Sequence, residues 1–292
     1  MYIKTKIGQT HLRKKGRLQN NKGMLPIIGL HGGPGGTHAS VVQLLDLSTQ
    51  QQNRLVIVYD QIGSGWSDAI PQSKWKIQTF VRQLQEIVEH FQIEKFHLHG
   101  VSWGATLALE YYKATQGKQV ASVILHSPLI SEPVWTTEAK KLIKKLPQKE
   151  QKIIQACESI GATDAKVYKQ AMNLYYKKFV FRGKKRSAYS LKFRKFANNN
   201  LYEYMWGPSE FSATGTLKRW DGTKILKNIQ CPVLICCGQY DESTPHSNRQ
   251  FARMNPQAQL SVIPKASHST LAENKMATLK VFKKFIANVE NS

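Results

Sequence analysis

Short apolar runs alternate along the chain with longer stretches whose apolar positions recur at three- and four-residue steps. Residues 25–30, 55–59, 96–99, 122–125, 233–237 and 260–263 read as strands. Most are apolar throughout, the pattern of parallel strands covered on both faces. Residues 74–91, 103–115, 245–254 and 271–289 have helical spacing; in the first, Phe80, Leu84, Ile87, Val88 and Phe91 fall on one face. Strand and helix in alternation predict an α/β fold, a mostly parallel central sheet with helices on both faces. The alternation stops over 129–212, where lysine-rich, helix-like segments follow one another without a convincing strand pair. This stretch is expected to be a helical cap inserted between two strands of the sheet, with 1–128 and 213–292 forming the core.

Composition narrows the class. With 292 residues, 41% of them hydrophobic, the chain can bury a sizeable core and is not a disordered polymer. Cys157, Cys231, Cys236 and Cys237 lack metal-binding spacing and are too few for a disulfide scaffold, so reduced thiols are expected. No apolar run approaches the ~18 residues of a membrane span. The charged start, Met1 to Lys6, has no apolar segment behind it, so no signal peptide is expected and the protein is placed in the cytoplasm.

The sharpest chemical feature is His99-Gly100-Val101-Ser102-Trp103-Gly104-Ala105. Its G-x-S-x-G lies between a strand and a helix, the context of a nucleophile elbow, and presents the Ser102 hydroxyl above the sheet edge. A serine hydroxyl needs a base to take its proton, and the imidazolium so formed needs an anionic partner. The elbow predicts the chain order Ser, acid, His. His268 follows the last strand in Pro264-Lys265-Ala266-Ser267-His268, which delivers it to the same sheet edge; His246, five residues beyond Asp241, reads as a solvated or capping residue. The strand at 233–237 ends in Gly238-Gln239-Tyr240-Asp241-Glu242, and Asp241 is the expected triad acid. A second carboxylate beside it would raise the pKa of both, so Glu242 is expected to face elsewhere and serve another role.

His31-Gly32-Gly33-Pro34-Gly35-Gly36 follows the strand at 25–30. A glycine-rich loop there allows a backbone amide close to a reacting carbonyl, and the elbow adds a second amide. Gly33 and Trp103 are the expected oxyanion donors. The loop lacks the lysine and hydroxyl of a phosphate-binding G-x-x-x-x-G-K-[ST]. A triad working through an acyl-enzyme calls for no metal and no cofactor.

These residues resemble the α/β-hydrolase-fold proline iminopeptidases and the related tricorn-interacting aminopeptidases. The likeness is carried by His31-Gly32-Gly33-Pro34-Gly35, by 59–68 (Y-D-Q-I-G-S-G-W-S-D) and by Gly100-Val101-Ser102-Trp103-Gly104. It continues in Met205-Trp206-Gly207-Pro208-Ser209-Glu210-Phe211, through 215–221, and in 237–245 (C-G-Q-Y-D-E-S-T-P). The G-P-x-E-F and G-x-Y-D-E-x-T-P segments are far more specific than the elbow. The resemblance implies Ser102, Asp241 and His268 as triad and Glu210 and Glu242 as carboxylates that hold the free amino terminus of a short peptide. It also implies Tyr202 as a wall of the pocket. The substrate class it implies is short peptides with an N-terminal proline or small apolar residue. The chain departs from the family at 178–182, which read K-F-V-F-R where relatives commonly have R-H-x-C-R, and at Ala105, where many have glycine.

Two carboxylates at a protonated amine would each contribute a few kcal/mol at ~4 Å and an effective dielectric of ~20. Fixing the amine sets how far the first carbonyl lies from Ser102, and an exopeptidase follows. An esterase or amidase with the same triad would lack that anchor. The net charge of +23 supports a different reading, non-specific polyanion binding through the cap. From Lys166 to Lys195 there are eleven basic residues and no acidic one, interleaved with Tyr175, Tyr176, Phe179, Phe181, Tyr189 and Phe193. Distant charges are screened beyond ~8–10 Å, so local acids decide what the pocket attracts.

Overall fold

The computed structural model describes residues 1–18, 23–51 and 53–292. Its sheet has eight strands: β1 (Tyr2–Thr5), β2 (Gly8–Lys15), β3 (Ile27–Leu30), β4 (Val56–Tyr59), β5 (Phe96–Val101), β6 (Val120–His126), β7 (Val233–Gly238) and β8 (Ala258–Ile263). The spatial order is β1-β2-β4-β3-β5-β6-β7-β8. From β4 to β8 all neighbours are parallel; β1 and β2 form an antiparallel hairpin on one edge. The six strands expected from apolar runs are all present. The hairpin was not anticipated, because β2 reads G-Q-T-H-L-R-K-K and buries only Thr10, His11 and Leu12.

Strands β3 to β7 are buried along their whole length, as their composition requires. Helices α1 (Ile77–His90) and α2 (Trp103–Thr115) cover one face. Phe80, Leu84, Ile87 and Val88 of α1 pack there with Trp103, Leu107 and Tyr111 of α2.

Helices α3 (Glu132–Ile143), α4 (Gln148–Ser159), α5 (Lys166–Phe179), α6 (Ala188–Arg194) and α7 (Asn199–Met205) all lie between β6 and β7. They carry an apolar cluster of their own, built from Leu142, Ile154, Tyr168, Tyr175, Phe179 and Phe211. The stem is closed by a bridge between Ser131 and Asp221, with Gly222 N donating to Ile130 O (2.8 Å) and Glu132 N to Trp220 O (2.9 Å). The chain then runs through α8 (Thr223–Lys227) into β7, and α9 (Pro245–Ala252) connects β7 to β8. The helix expected over 271–289 is split at Asn274 into α10 (Thr270–Glu273) and α11 (Lys275–Glu290), with the Asn274 side chain capping the second piece at Ala277 N. Phe282, Phe285 and Ile286 of α11 cover the other face of the sheet. Among the described residues no helix is long and apolar enough to cross a membrane.

Candidate active site

Ser102 sits between β5 and α2 with φ 56° and ψ −122°, a left-handed conformation that a non-glycine residue adopts only when its surroundings enforce it. The enforcing geometry lies in its glycine neighbours. A Cβ at Gly100 would come within 2.1 Å of Gly104 O, and one at Gly104 within 2.5 Å of Leu30 O. Only bare backbone lets strand, helix and the β3 loop approach this closely. Ser102 N donates to His126 O (3.0 Å), which locks the turn to β6.

His268 follows β8 and Asp241 follows β7. The His268 Nδ1 donates to Asp241 Oδ1 at 2.8 Å. The carboxylate is itself fixed by Gly238 N (3.0 Å, to Oδ2) and Ser243 N (2.8 Å, to Oδ1), so the ring is held by a preset acceptor. That bond puts the proton on Nδ1 and leaves Nε2 free as a base. Burial disfavours the imidazolium, but the charge and hydrogen bond of Asp241, with Glu210 and Glu273, outweigh it and raise the His268 pKa above 6.5. Ser102 and His268 line one cavity of about 630 Å³ together with Gly32, Gly33 and Glu210. His246, by contrast, is exposed on α9 and faces Gln250.

The glycine loop is tied to the elbow by a chain of bonds. Burial lowers the His31 pKa to about 4, so the ring is neutral near pH 7. Its Nε2 accepts from Gln61 N (3.0 Å), which leaves Nδ1–H to donate to Gly32 O (2.8 Å). A trans peptide is planar, so fixing Gly32 O also fixes the direction of the Gly33 N–H. Gln61 completes the circuit: its Nε2 donates to His31 O (3.0 Å), and its Oε1 accepts from the buried Trp103 indole (2.8 Å). The Trp103 backbone amide belongs to the first turn of α2 and has no helical acceptor of its own. Sequence reasoning assigned no role to His31 or Gln61 singly; both stand in the motifs that carried the resemblance.

Glu242 is almost fully buried, and neither carboxylate oxygen has a hydrogen-bond partner among the described residues. Its Oε1 lies 3.9 Å from His268 Nδ1. Glu210 lines the cavity; its backbone N–H donates to the Tyr176 hydroxyl (3.2 Å) and its carbonyl accepts from the Trp135 indole (2.7 Å). The hydroxyl of Tyr175 faces Glu242 and that of Tyr202 faces Glu210, near enough to feel their charges yet short of a formed hydrogen bond. Burial raises the pKa of both acids; for Glu242 the charges of Glu210 and Asp241 add to it. The indole of Trp135 stands edge-on to the His268 ring, 5.7 Å between centroids. The structure therefore brings Glu210, Glu242 and Tyr202 together beside the histidine. Trp135, Tyr175 and Tyr176 join them without any local sequence signal; the two tyrosines looked like stacking residues of a basic surface.

The cap closes over this site through its backbone. Phe179 O accepts from both Glu242 N (3.3 Å) and His268 N (3.1 Å), and Val180 O from Ser269 N (3.1 Å). Of the cap aromatics, Tyr175, Phe179 and Phe193 are buried in apolar clusters or against neighbouring rings and are not displayed for base stacking.

A family model described as alpha/beta hydrolase fold matches residues 26–275. The chain is 37% identical over 275 residues to a proline iminopeptidase of Heyndrickxia coagulans, covering 94% of each protein. It is 35% identical to one of Saccharolobus solfataricus, over 90% of this chain and 85% of that protein. Among solved structures, a proline iminopeptidase of Mycobacterium smegmatis superposes with a TM-score of 0.88 at 28% identity, over 99% of this chain and 98% of that one. The crystal structure of VinJ gives a TM-score of 0.90 at 26% identity, with the same coverage. Sequence, topology and the elbow geometry agree: this chain belongs to the proline iminopeptidase family of α/β-hydrolase-fold proteins.

Proposed function

We propose that the protein is a serine aminopeptidase of the proline iminopeptidase type, removing an N-terminal proline or small apolar residue from short peptides. One observation carries it: two acids, Glu242 and Glu210, stand beside the catalytic histidine, and among the described residues neither oxygen of the buried Glu242 has a hydrogen-bond partner. A buried carboxylate without a partner is costly, and a protonated amine is the group that would relieve it. Tyr202 and Tyr175 wall the same corner.

In this mechanism Ser102 Oγ attacks the carbonyl of the first residue while His268 Nε2 takes its proton. Asp241 holds the ring and stabilises the imidazolium, and the Gly33 and Trp103 amides receive the oxyanion. His268 then protonates the leaving amine, and water, activated by the same imidazole, releases the acyl group. Segment 129–212 acts as the cap, setting the depth of the amine site. Free cysteines at 157, 231, 236 and 237 accord with a cytoplasmic location.

The test compares prolyl arylamide with its N-acetyl form. Free amine is expected to be preferred by about 100-fold or more, the worth of a desolvated charge pair. Equal turnover overturns the anchor and leaves an esterase or amidase using the same triad. Ser102→Ala is expected to lose all but a residue of activity on either substrate.

A further inference from the structure

The two acids account for one end of a substrate; the same cavity carries the opposite charge where it opens. Lys185, Arg186 and Arg194 line it, contributed by α6 and the segment before it. Lys185 and Arg194 are exposed and Arg186 half-buried, while Glu210 lines the same cavity and the almost fully buried Glu242 lies beside it, 3.9 Å from His268 Nδ1. Among the described residues, none of the three cations has a carboxylate within ion-pair distance. Lys275, also on the rim, is different, since Asp46 pairs with it at 2.5 Å. Glu273, the acid whose charge reaches Arg186, is already taken up by Ser267 N, Ser267 Oγ and Arg182 N.

Arg186 is held in place rather than free in solvent. Its guanidinium lies over the Phe181 ring, 4.0 Å from the centroid. Burial and the neighbouring Arg194 together lower its pKa to about 10, with the Glu273 charge only partly offsetting them, so the guanidinium sits partly desolvated beside a like charge and without an ion-pair partner among the described residues. The element that carries Arg194 is also fixed. Phe193 is buried against His38 and Trp66, and the Tyr189 hydroxyl is bonded to His38 Nε2 (2.7 Å) and to Arg13 (3.0 Å).

We propose that Arg186 and Arg194, assisted by Lys185, receive a carboxylate on the leaving portion of the substrate, so that the enzyme selects peptides charged at both ends. Guanidinium groups match a carboxylate with paired hydrogen bonds, and the half-buried Arg186 gains more from one than a solvated lysine does. The substrate class is the short free peptide: amine on Glu242 and Glu210, scissile carbonyl at Ser102, terminal carboxylate on the arginines. This assignment rests on the aminopeptidase reading for its orientation.

The experiment measures kcat/KM for prolyl-alanine and for prolyl-alanine amide at low ionic strength. The free acid is expected to be preferred by about 10-fold, as for one charge-assisted contact, and the ratio to shrink in 0.5 M salt. In Arg186→Gln with Arg194→Gln the ratio is expected to fall toward one. It should persist in Lys227→Gln, an exposed charge on α8 at the far edge of the sheet. A ratio near one in the wild type, a ratio that survives the double substitution, or an equal loss in Lys227→Gln overturns the proposal. Prolyl-aspartate amide identifies the source of the carboxylate: acceleration there extends the site to acidic side chains, and its absence confines it to the chain terminus. N-acetylated versions of the same peptides test the amine anchor separately, because that anchor can fail while the acid-to-amide ratio still responds to the arginines.

Discussion

Replacing Glu242 by Gln separates binding from stability, because the two should move in opposite directions. The side chain is 1% exposed and its oxygens have no hydrogen-bond partner among the described residues. Burial, then the charges of Glu210 and Asp241, hold its pKa well above 4.5. A carboxyl group whose pKa is raised on folding stabilises the fold most when protonated, and that contribution is lost as pH rises from its unfolded value toward its folded one. At pH 7, where the unfolded carboxyl is ionised, burying this group is therefore a burden on the empty enzyme. The isosteric amide removes it, and a gain of about 1–2 kcal/mol corresponds to roughly 2–3 °C in Tm for a chain of this size. For a bound ammonium the same change removes a Coulomb attraction of about 4 kcal/mol at ~4 Å and a dielectric of ~20. Desolvation of the ammonium takes back about half. The remaining ~2 kcal/mol is about 30-fold in kcat/KM. The assays are thermal unfolding without ligand and kcat/KM on prolyl arylamide and its N-acetyl form. A lower Tm with the same fractional loss on both substrates would mean that Glu242 supports the fold, and it would refute the amine site.

Three further outcomes follow from the geometry. Because His268 must be neutral to act as base and its pKa is raised, kcat/KM is expected to fall as pH drops through a value above 6.5; a limb below 6.5 contradicts the balance of charges around the ring. Glu290 accepts from Arg54 (2.7 Å at Oε2), Leu25 N (2.7 Å) and His97 (3.2 Å), and these hold its pKa at about 2 against the effect of burial. Its stabilisation is thus complete above about pH 4.5 and lost as pH falls toward 2. Glu290→Gln is expected to cost about 2 kcal/mol in urea unfolding at pH 7, allowing for solvent screening, and to flatten the acid slope. Gln61→Leu leaves the Trp103 indole and His31 O unpaired and frees the glycine loop, so kcat should drop about 10- to 100-fold with KM little changed; a change confined to KM refutes a positioning role.

The central strands were legible because burial on both faces leaves no polar position, as in Val56-Ile57-Val58-Tyr59. The elbow was legible because its glycines are dictated by backbone contacts within a few residues and with the next strand. The edge hairpin was not, since Gly8–Lys15 exposes most of one side and has no apolar run to betray it. The break at Asn274 depends on a side-chain cap that spacing alone does not reveal. In the site, the loops after β5, β7 and β8 carry Ser102, Asp241 and His268 to one edge of the sheet, the chain order that the elbow motif predicts. The company kept by Glu210 and Glu242 was not legible, because Trp135, Tyr175 and Tyr176 come from two cap helices whose packing is tertiary. The basic stretch at 166–195 shows the same limit: sequence gives the charge, and only folding decides that Arg186 and Arg194 look into the cavity while Phe193 turns inward.

One carbonyl, that of Phe179, receives amides from both the Glu242 and the His268 loops, and Val180 receives a third from Ser269. A roof that lifted as a single plate would tear all three and unseat the imidazole each time a molecule was admitted. The end of α5 and the loops bearing Glu242 and His268 are thus held as one unit, so a change that loosens Phe179 or Val180 disturbs the base as well as the roof.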